Sequence, residues 1–406
     1  MLMQHQDGSL SLSKYQVILS GICALIITVG LARFSYTPLL PIMNKEAGLS
    51  LLAGGWLATF NYTGYILGAL IAASLSELSV KYRLYKLCLI VSVASTAAMG
   101  MTTDLILWSV LRFISGLTSV AGMLFASGLI MNWLIRKGMK QELGLHFAGL
   151  GLGIAVSGVA VILMADYLDW AQQWYWMATI ALLFFAPAWL WMPQPATVHR
   201  HPVIAAKKAD RPSPSWMKIL ILFYFCTGFG YAIGATFIVA ILGKFEYFSQ
   251  AGSLVWILVG AAAMPASFLW DKIARASSTV TALIVANVLE TVAILIPRFT
   301  DDTSLNVIGA VLFGSTFVGI VSLTLALAGR SFPENPAKAM AKLTISNGVA
   351  QIIAPAAGGY LATRYGSYSD SLVATGVIMT LGTLLLFMLP SSECDARVQR
   401  LEPVAE

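Results

Sequence analysis

Along the chain, apolar residues fall in long unbroken runs rather than in the alternation of a strand or the narrow stripe of a surface helix. A run of about 20 such residues crosses the hydrocarbon core of a bilayer as an α-helix. Twelve runs can be marked, at 15–41, 51–75, 84–101, 105–134, 143–164, 174–191, 216–242, 250–269, 280–297, 305–329, 340–361 and 372–390. The pattern predicts an all-α membrane protein of twelve transmembrane helices. The gaps are short, so no soluble domain is inserted. The longest, 193–215, is Pro-rich and basic and reads as a flexible cytoplasmic linker. It divides the chain into an N-terminal tail (1–14), a six-helix half (15–192), the central loop (193–215), a second six-helix half (216–390) and a C-terminal tail (391–406).

Composition agrees with that picture. Of 406 residues, 58% are hydrophobic and 11% charged, against about 25% charged in a soluble domain. This excludes a disordered chain, a nucleic-acid binder and an ordinary cytosolic enzyme. Cys23, Cys88 and Cys226 lie inside apolar runs and Cys394 in the polar tail, with no CxxC spacing, so neither a zinc site nor a disulfide framework is supported. No cofactor is implied. The P-loop pattern is absent, so energy should come from an ion gradient or from the solute gradient itself. The polar start, MLMQHQDGSLSLSK, leads into a run without a small-residue cleavage site, read as a retained helix rather than a signal peptide.

The net charge of +6 is unevenly placed. With both termini in the cytoplasm, clusters such as Lys81–Arg83–Lys86, Arg136–Lys137–Lys140 and Lys207–Lys208–Arg211 fall on the cytoplasmic side. The outer side receives Lys45, Lys244, Arg298 and Arg364. Basic loops stay inside, so the bias predicts a multi-pass inner (plasma) membrane protein with cytoplasmic termini. Trp133, Trp174, Trp191, Trp216 and Trp270 fall near run ends, where amphipathic rings favour the membrane interface.

Two six-helix halves are the layout of transporters built from repeats, with the binding site between the halves near the midplane. Small residues recur at matched places. The fifth run has Gly149, Gly151, Gly153, Ser157 and Gly158; its counterpart, the eleventh, has Gly348, Pro355, Gly358 and Gly359. This layout and the Arg-containing fourth run, LRFISGLTSVAGM, resemble the major facilitator superfamily. The stretch GLARFSYTPLLPIM (30–43) is similar to the first-helix signature of its YbfB/YjiJ-type branch, as are GLHFAGLGLGIAVSG (144–158) and TGFGYAIGATF (227–237). The resemblance spans about 15–390. It implies secondary transport of a small solute coupled to an ion gradient, and it implies that the first and fourth helices line the cavity of the first half. The superfamily's loop motif between the second and third helices is degenerate here, SLSELSVKYRLYK, with Glu77 its only acid. The fifth run lacks the Pro of the exchanger motif.

Arg33, Arg112 and Glu290 are the charges deep inside runs, whereas Lys86, Lys218 and Lys342 lie within three residues of a run's end. A charge at the bilayer centre costs roughly 2.5–3.5 kcal/mol even on lenient scales, so such residues are functional candidates. At ~1.5 Å per residue both arginines sit roughly 10–12 Å from the outer ends of their runs, at similar depth. They could form the positive wall of a polar cavity, or each could be a structural arginine on neighbouring carbonyls. Around them, Tyr36, Asn61, Tyr65, Tyr231 and Gln351 fall on helical stripes of polar and aromatic residues. Together with the arginines they make the candidate binding set, suited to a small anionic or amphipathic solute. Buried amides and phenols can equally serve interhelical hydrogen bonds. Glu290, with Asn287 one turn before it, is the simplest proton carrier, although the ninth helix of the superfamily usually supports the outside of the bundle. His146 reads as a titratable group or a packing residue. The expected partners are the solute, protons and lipid, with the protein acting as a monomer. A membrane enzyme acting on a lipid or sugar, or a sensor that keeps a transporter fold, are the alternatives; the first needs a nucleophile or carboxylate cluster and the second a long output domain.

Overall fold

The computed structural model describes residues 12–139, 143–195, 213–245, 252–332 and 336–389. Most of both tails and most of the central basic segment lie outside the described residues. Those described form twelve helical rods, with no strand among them. In chain order they are α1 (Lys14–Glu46), α2 (Leu51–Ser74), α3 (Leu78–Met101), α4 (Leu105–Arg136), α5 (Gly144–Met164) and α6 (Trp170–Leu190). The second set is α7 (Pro214–Leu242), α8 (Gly252–Ala276), α9 (Thr279–Phe299), α10 (Thr303–Ser331), α11 (Pro336–Tyr365) and α12 (Ser369–Phe387).

Each rod covers most of one expected run, and all but α2 and α5 extend it at one end or both. The third begins at Leu78 rather than residue 84, and the eighth continues past 269 to Ala276. A helix satisfies its own backbone, so it continues beyond the apolar stretch. There Asp271 and Arg275 pair at 2.8 Å, one turn apart. Nine of the rods are long and apolar enough to cross a membrane. The other three are α2, α6 and α11, which carry residues such as Asn61, Gln172, Gln173, Asn347 and Gln351.

Side chains before the first turns supply the starts. Asp104 accepts from the Leu107 amide at 2.8 Å, Asp302 from Leu305 at 2.8 Å, and Asp169 from Ala171 and Gln172 in a reciprocal capping box. Gly48, at φ 68°, takes the left-handed turn that ends α1 before α2 begins.

The face at which the described part of the chain begins, with Lys14 of α1, is here the terminal face; the opposite one is the far face. The packing repeats under a shift of six rods. The second rod packs on α4 and on α11, and α8 likewise on α10 and on α5. The fifth packs on α1 and α8, and α11 on α7 and α2. Two-fold pseudo-symmetry follows, with α2–α11 and α5–α8 joining the halves. The pairs α3–α6 and α9–α12 sit outside them.

The joints are backbone contacts. A Cβ on Gly30 would lie 2.5 Å from the Gly153 Cα, and one on Gly151 would lie 2.5 Å from the Gly260 carbonyl. Removing side chains lets helix axes approach where hydrocarbon gives no hydrophobic drive to associate. Large apolar residues such as Leu183, Phe268 and Phe387 are exposed, as a lipid-facing surface requires. The tryptophan expectation needs correcting. Trp133, Trp174, Trp216 and Trp270 lie near rod ends but are buried between helices, and Trp270 donates its indole N–H to the Ser315 carbonyl at 2.6 Å. Interior packing outweighs the headgroup preference at these positions.

The Gly30–Gly153 contact makes a stability prediction. Gly153→Leu should cost at least about 1–3 kcal/mol by overpacking, seen as a lower melting temperature in detergent. Gly128→Leu, where a Cβ meets nothing within 4 Å, should melt like the parent.

Candidate functional site

The site begins with an irregularity in α1. Residues Ile26–Phe34 wind as a π-helix, and so do Ala121–Ala126 of α4, which pack against them. Such wide turns break the i→i+4 ladder and occur often at functional sites. Pro38 removes one more donor from the same stretch. The carbonyls of Ala32 and Arg33 therefore turn to α4. Arg112 donates from Nη1 to Ala32 O at 3.3 Å and from Nη2 to Arg33 O at 3.2 Å. The Ser115 hydroxyl adds a bond to Ala32 O at 2.6 Å. Asn61 Nδ2 donates to the Arg112 carbonyl at 2.9 Å and to Ser115 Oγ at 3.4 Å, tying in α2. The Tyr36 ring lies 4.4 Å from the Arg112 guanidinium carbon, and its hydroxyl donates to Gly54 O at 2.8 Å. Arg112 is thus held by three rods.

Arg33 is held differently. It is 5% exposed, and its guanidinium carbon lies 4.3 Å from the Tyr65 ring, 4.9 Å from Tyr62 and 5.3 Å from Phe34. Its Nε is buried without an acceptor, and no protein acceptor meets its Nη atoms among the described residues. Desolvating an ion costs several kcal/mol. A desolvated cation–π contact returns about 2 kcal/mol, so three rings offset the charge. They do nothing for the N–H groups, which still lack acceptors.

Both arginines border one cavity. Its walls are Arg33, Phe34, Tyr36 and Thr37 of α1, Ala58, Asn61 and Tyr62 of α2, Arg112 of α4, and Ala235 and Thr236 of α7. It therefore lies between the halves, and no carboxylate lines it. A line of rings leads on into the second half. Tyr62 meets Tyr231 edge-on at 6.2 Å, Tyr231 lies 5.4 Å from Phe317, and Phe317 stacks on Phe313 at 5.5 Å.

Of the residues singled out from sequence, Arg33, Tyr36, Asn61 and Arg112 meet at the cavity. Tyr65 lies behind Arg33, and Tyr231 lies beyond Tyr62. Gln351 is outside the lining. It donates to Asn347 Oδ1, Asn347 donates to Tyr224 O at 2.9 Å, and the Gln351 Oε1 remains buried and unpartnered. The stripe read on α2 splits in two. Gly64 and Gly68 face α4 backbone, so they serve packing, while Tyr62 and Tyr65 face Arg33. Glu290 stands apart, on α9 against α10 and α12. Both carboxylate oxygens are buried without a partner; the Thr316 hydroxyl beside them is spent on the Leu312 and Phe313 carbonyls. Asn287 bridges to Met379 O and Thr383 on α12. His146 is fully buried, its Nε2 3.1 Å from Ser127 Oγ, whose proton goes to Met123 O. Sequence reasoning missed Phe34, Thr236 and Phe317. No short motif marks them, although the aromatic spacing Phe313–Phe317 one turn apart was available.

Hydrogen bonds between the halves are confined to the far side of the bundle. Among the described residues they are Thr37 Oγ1 to Ala235 O, Thr59 Oγ1 to Ile352 O, Trp256 Nε1 to Ser157 Oγ and Tyr368 OH to Leu51 O. Gly55 there has no room for a Cβ against the Pro355 carbonyl.

Comparison with known proteins agrees with this geometry. Residues 25–387 match the family model of the "Uncharacterised MFS-type transporter YbfB". The MFS transporter prlG of a fungal species (strain NRRL 50135) is 27% identical over 154 residues, 38% of this chain and 32% of that protein. The chain thus matches about a third of that relative's length. Among solved structures, a point mutant of the nucleoside transporter NupG superposes with TM-score 0.73 at 13% identity, covering 93% of this chain and 99% of that one. A bacterial homologue of the human lysosomal transporter Spinster, inward-facing and occupied, gives TM-score 0.67 at 15% identity, over 98% and 100%. At these identities the likeness shows the fold.

The shared acceptor of Arg112 and Ser115 makes a prediction. Arg112→Gln leaves the Arg33 carbonyl unpaired and should cost about 1–3 kcal/mol. Arg112→Gln with Ser115→Ala should cost more than the sum of the singles, since each donor covers for the other at Ala32 O. Unfolding in detergent measures both.

Proposed function

The chain belongs to the YbfB-type family of the major facilitator superfamily and is a multi-pass membrane transporter, and on that footing we propose that it moves a small organic solute by alternating access, coupled to protons. One observation carries the reading: a polar cavity between two pseudo-symmetric halves, with every hydrogen bond between the described parts of those halves on the far side. Rods α1–α6 and α7–α12 are the two bodies that rock. The basic loops assign the terminal face to the cytoplasm of an inner-membrane protein, so this arrangement is the one closed to the outside. Glu290 is the proton-coupling candidate. It acts through the α9–α10–α12 contact, outside the cavity, because its carboxyl is the intramembrane acid that lacks a fixed partner. The family and the solved neighbours are transporters, which supports transport over catalysis, and one chain supplies every residue that lines the cavity.

Purified protein in liposomes, offered a panel of sugars, amines and carboxylates, should carry at least one solute faster than protein-free vesicles, and faster still under an imposed proton gradient. No flux of any solute overturns the reading. Glu290→Gln should reduce gradient-driven accumulation to the passive level while leaving downhill exchange. Gly55→Leu cannot close the far face; turnover should drop roughly tenfold, for about 1–3 kcal/mol of overpacking in that state alone.

A further inference from the structure

Building on the transporter reading, we propose that the solute is a small monocarboxylate with a flat apolar body. Its carboxylate sits on Arg33 and its body lies toward Tyr62, Tyr231 and Phe317.

The two arginines differ in what remains unspent. Arg112 has both Nη atoms on backbone carbonyls of α1. Arg33 has rings on its faces and no protein acceptor for its edge. Rings compensate the charge of a guanidinium but supply no lone pair in the plane of its N–H fork. That fork matches the two oxygens of a planar carboxylate. One unspent cation and no cavity acid set the charge of the ligand at minus one. A dianionic phosphate would bring a second charge with no partner, and a neutral amide would leave the cation uncompensated.

The surroundings set the body. Behind Tyr62, toward the second half, Tyr231, Phe317 and Phe313 follow at 5.4 to 6.2 Å between successive rings. Edge-to-face and offset stacking there suit a flat apolar ring. Recognition then spans both halves, the anion on α1 and the body on α7 and α10, so that the ligand bridges the parts that move.

The probes are benzoate, its neutral isostere benzamide, and the dianion phthalate, with binding to detergent-purified full-length protein followed by calorimetry and by melting temperature. Benzoate should bind and raise the melting temperature; benzamide and phthalate should bind at least about tenfold more weakly. Arg33→Gln should abolish the benzoate shift and also raise the melting temperature of the ligand-free protein, because it removes a buried charge without an acceptor. A merely structural Arg33 would lower it. Equal binding of benzoate and benzamide, or undiminished benzoate binding by Arg33→Gln, overturns the proposal. If liposomes carry a sugar or an amine while benzoate neither binds nor competes, the substrate class fails and the transporter reading stands. If benzoate binds through Arg33 but no panel solute is carried, the ligand class stands and the transporter reading fails.

Discussion

A backbone carbonyl inside a bilayer must find a donor, and α1 breaks its own ladder at the depth where the cavity forms. The guanidinium of Arg112 makes the repair, together with the Ser115 hydroxyl. The cost of its charge is met by two carbonyl dipoles and the face of Tyr36, and the return is a wide π-helical turn held open. Without that turn, Arg33 would not be presented to the space between the halves. Asn61 fixes the same corner from α2, so three helices share one polar knot in an otherwise apolar interior.

From this knot the cavity takes its asymmetry. The first half contributes both positive charges and the rings of Phe34, Tyr36 and Tyr62, and the second contributes Ala235 and Thr236. Pseudo-symmetry governs the rods and their contacts, but not the chemistry between them. Parts related by symmetry therefore present unlike surfaces to the space between them. The contact between the halves on the far side is built of single hydrogen bonds and glycine contacts rather than ion pairs. Such contacts can be broken and remade without dehydrating a charge each time.

The rods were legible in the sequence because lipid imposes a length and a polarity that no other environment does. The depth of Arg33 and Arg112 was legible by simple rise per residue. Their division of labour was not, since it depends on a π-helical register that side-chain periodicity hides: one extra residue per turn changes which carbonyls are free. The stripe on α2 misled for a related reason. Asn61, Gly64 and Gly68 share a face, yet the glycines on it serve approach to α4, while Tyr62 reaches the cavity and Tyr65 backs Arg33. The tryptophans sat where an interface would have them along the axis, but rotation about the axis decides burial, and hydropathy does not report rotation. Glu290 could be placed in its helix from sequence; that its helix is an outer one follows from packing.

The three rods that fall short of the apolarity of a self-sufficient span have a consequence for how the protein is made. Two of them, α2 and α11, lie against each other across the halves. A segment bearing Asn61 or Asn347 and Gln351 gains little by entering lipid alone, and gains much once another helix can take its amides. The second rod finds α4 early in synthesis. The eleventh finds α7, whose Tyr224 carbonyl receives Asn347, and then the waiting α2. Insertion of the last part of the chain is thus templated by the first, and a fault in α2 should surface as misinsertion near the C-terminus rather than as a local defect.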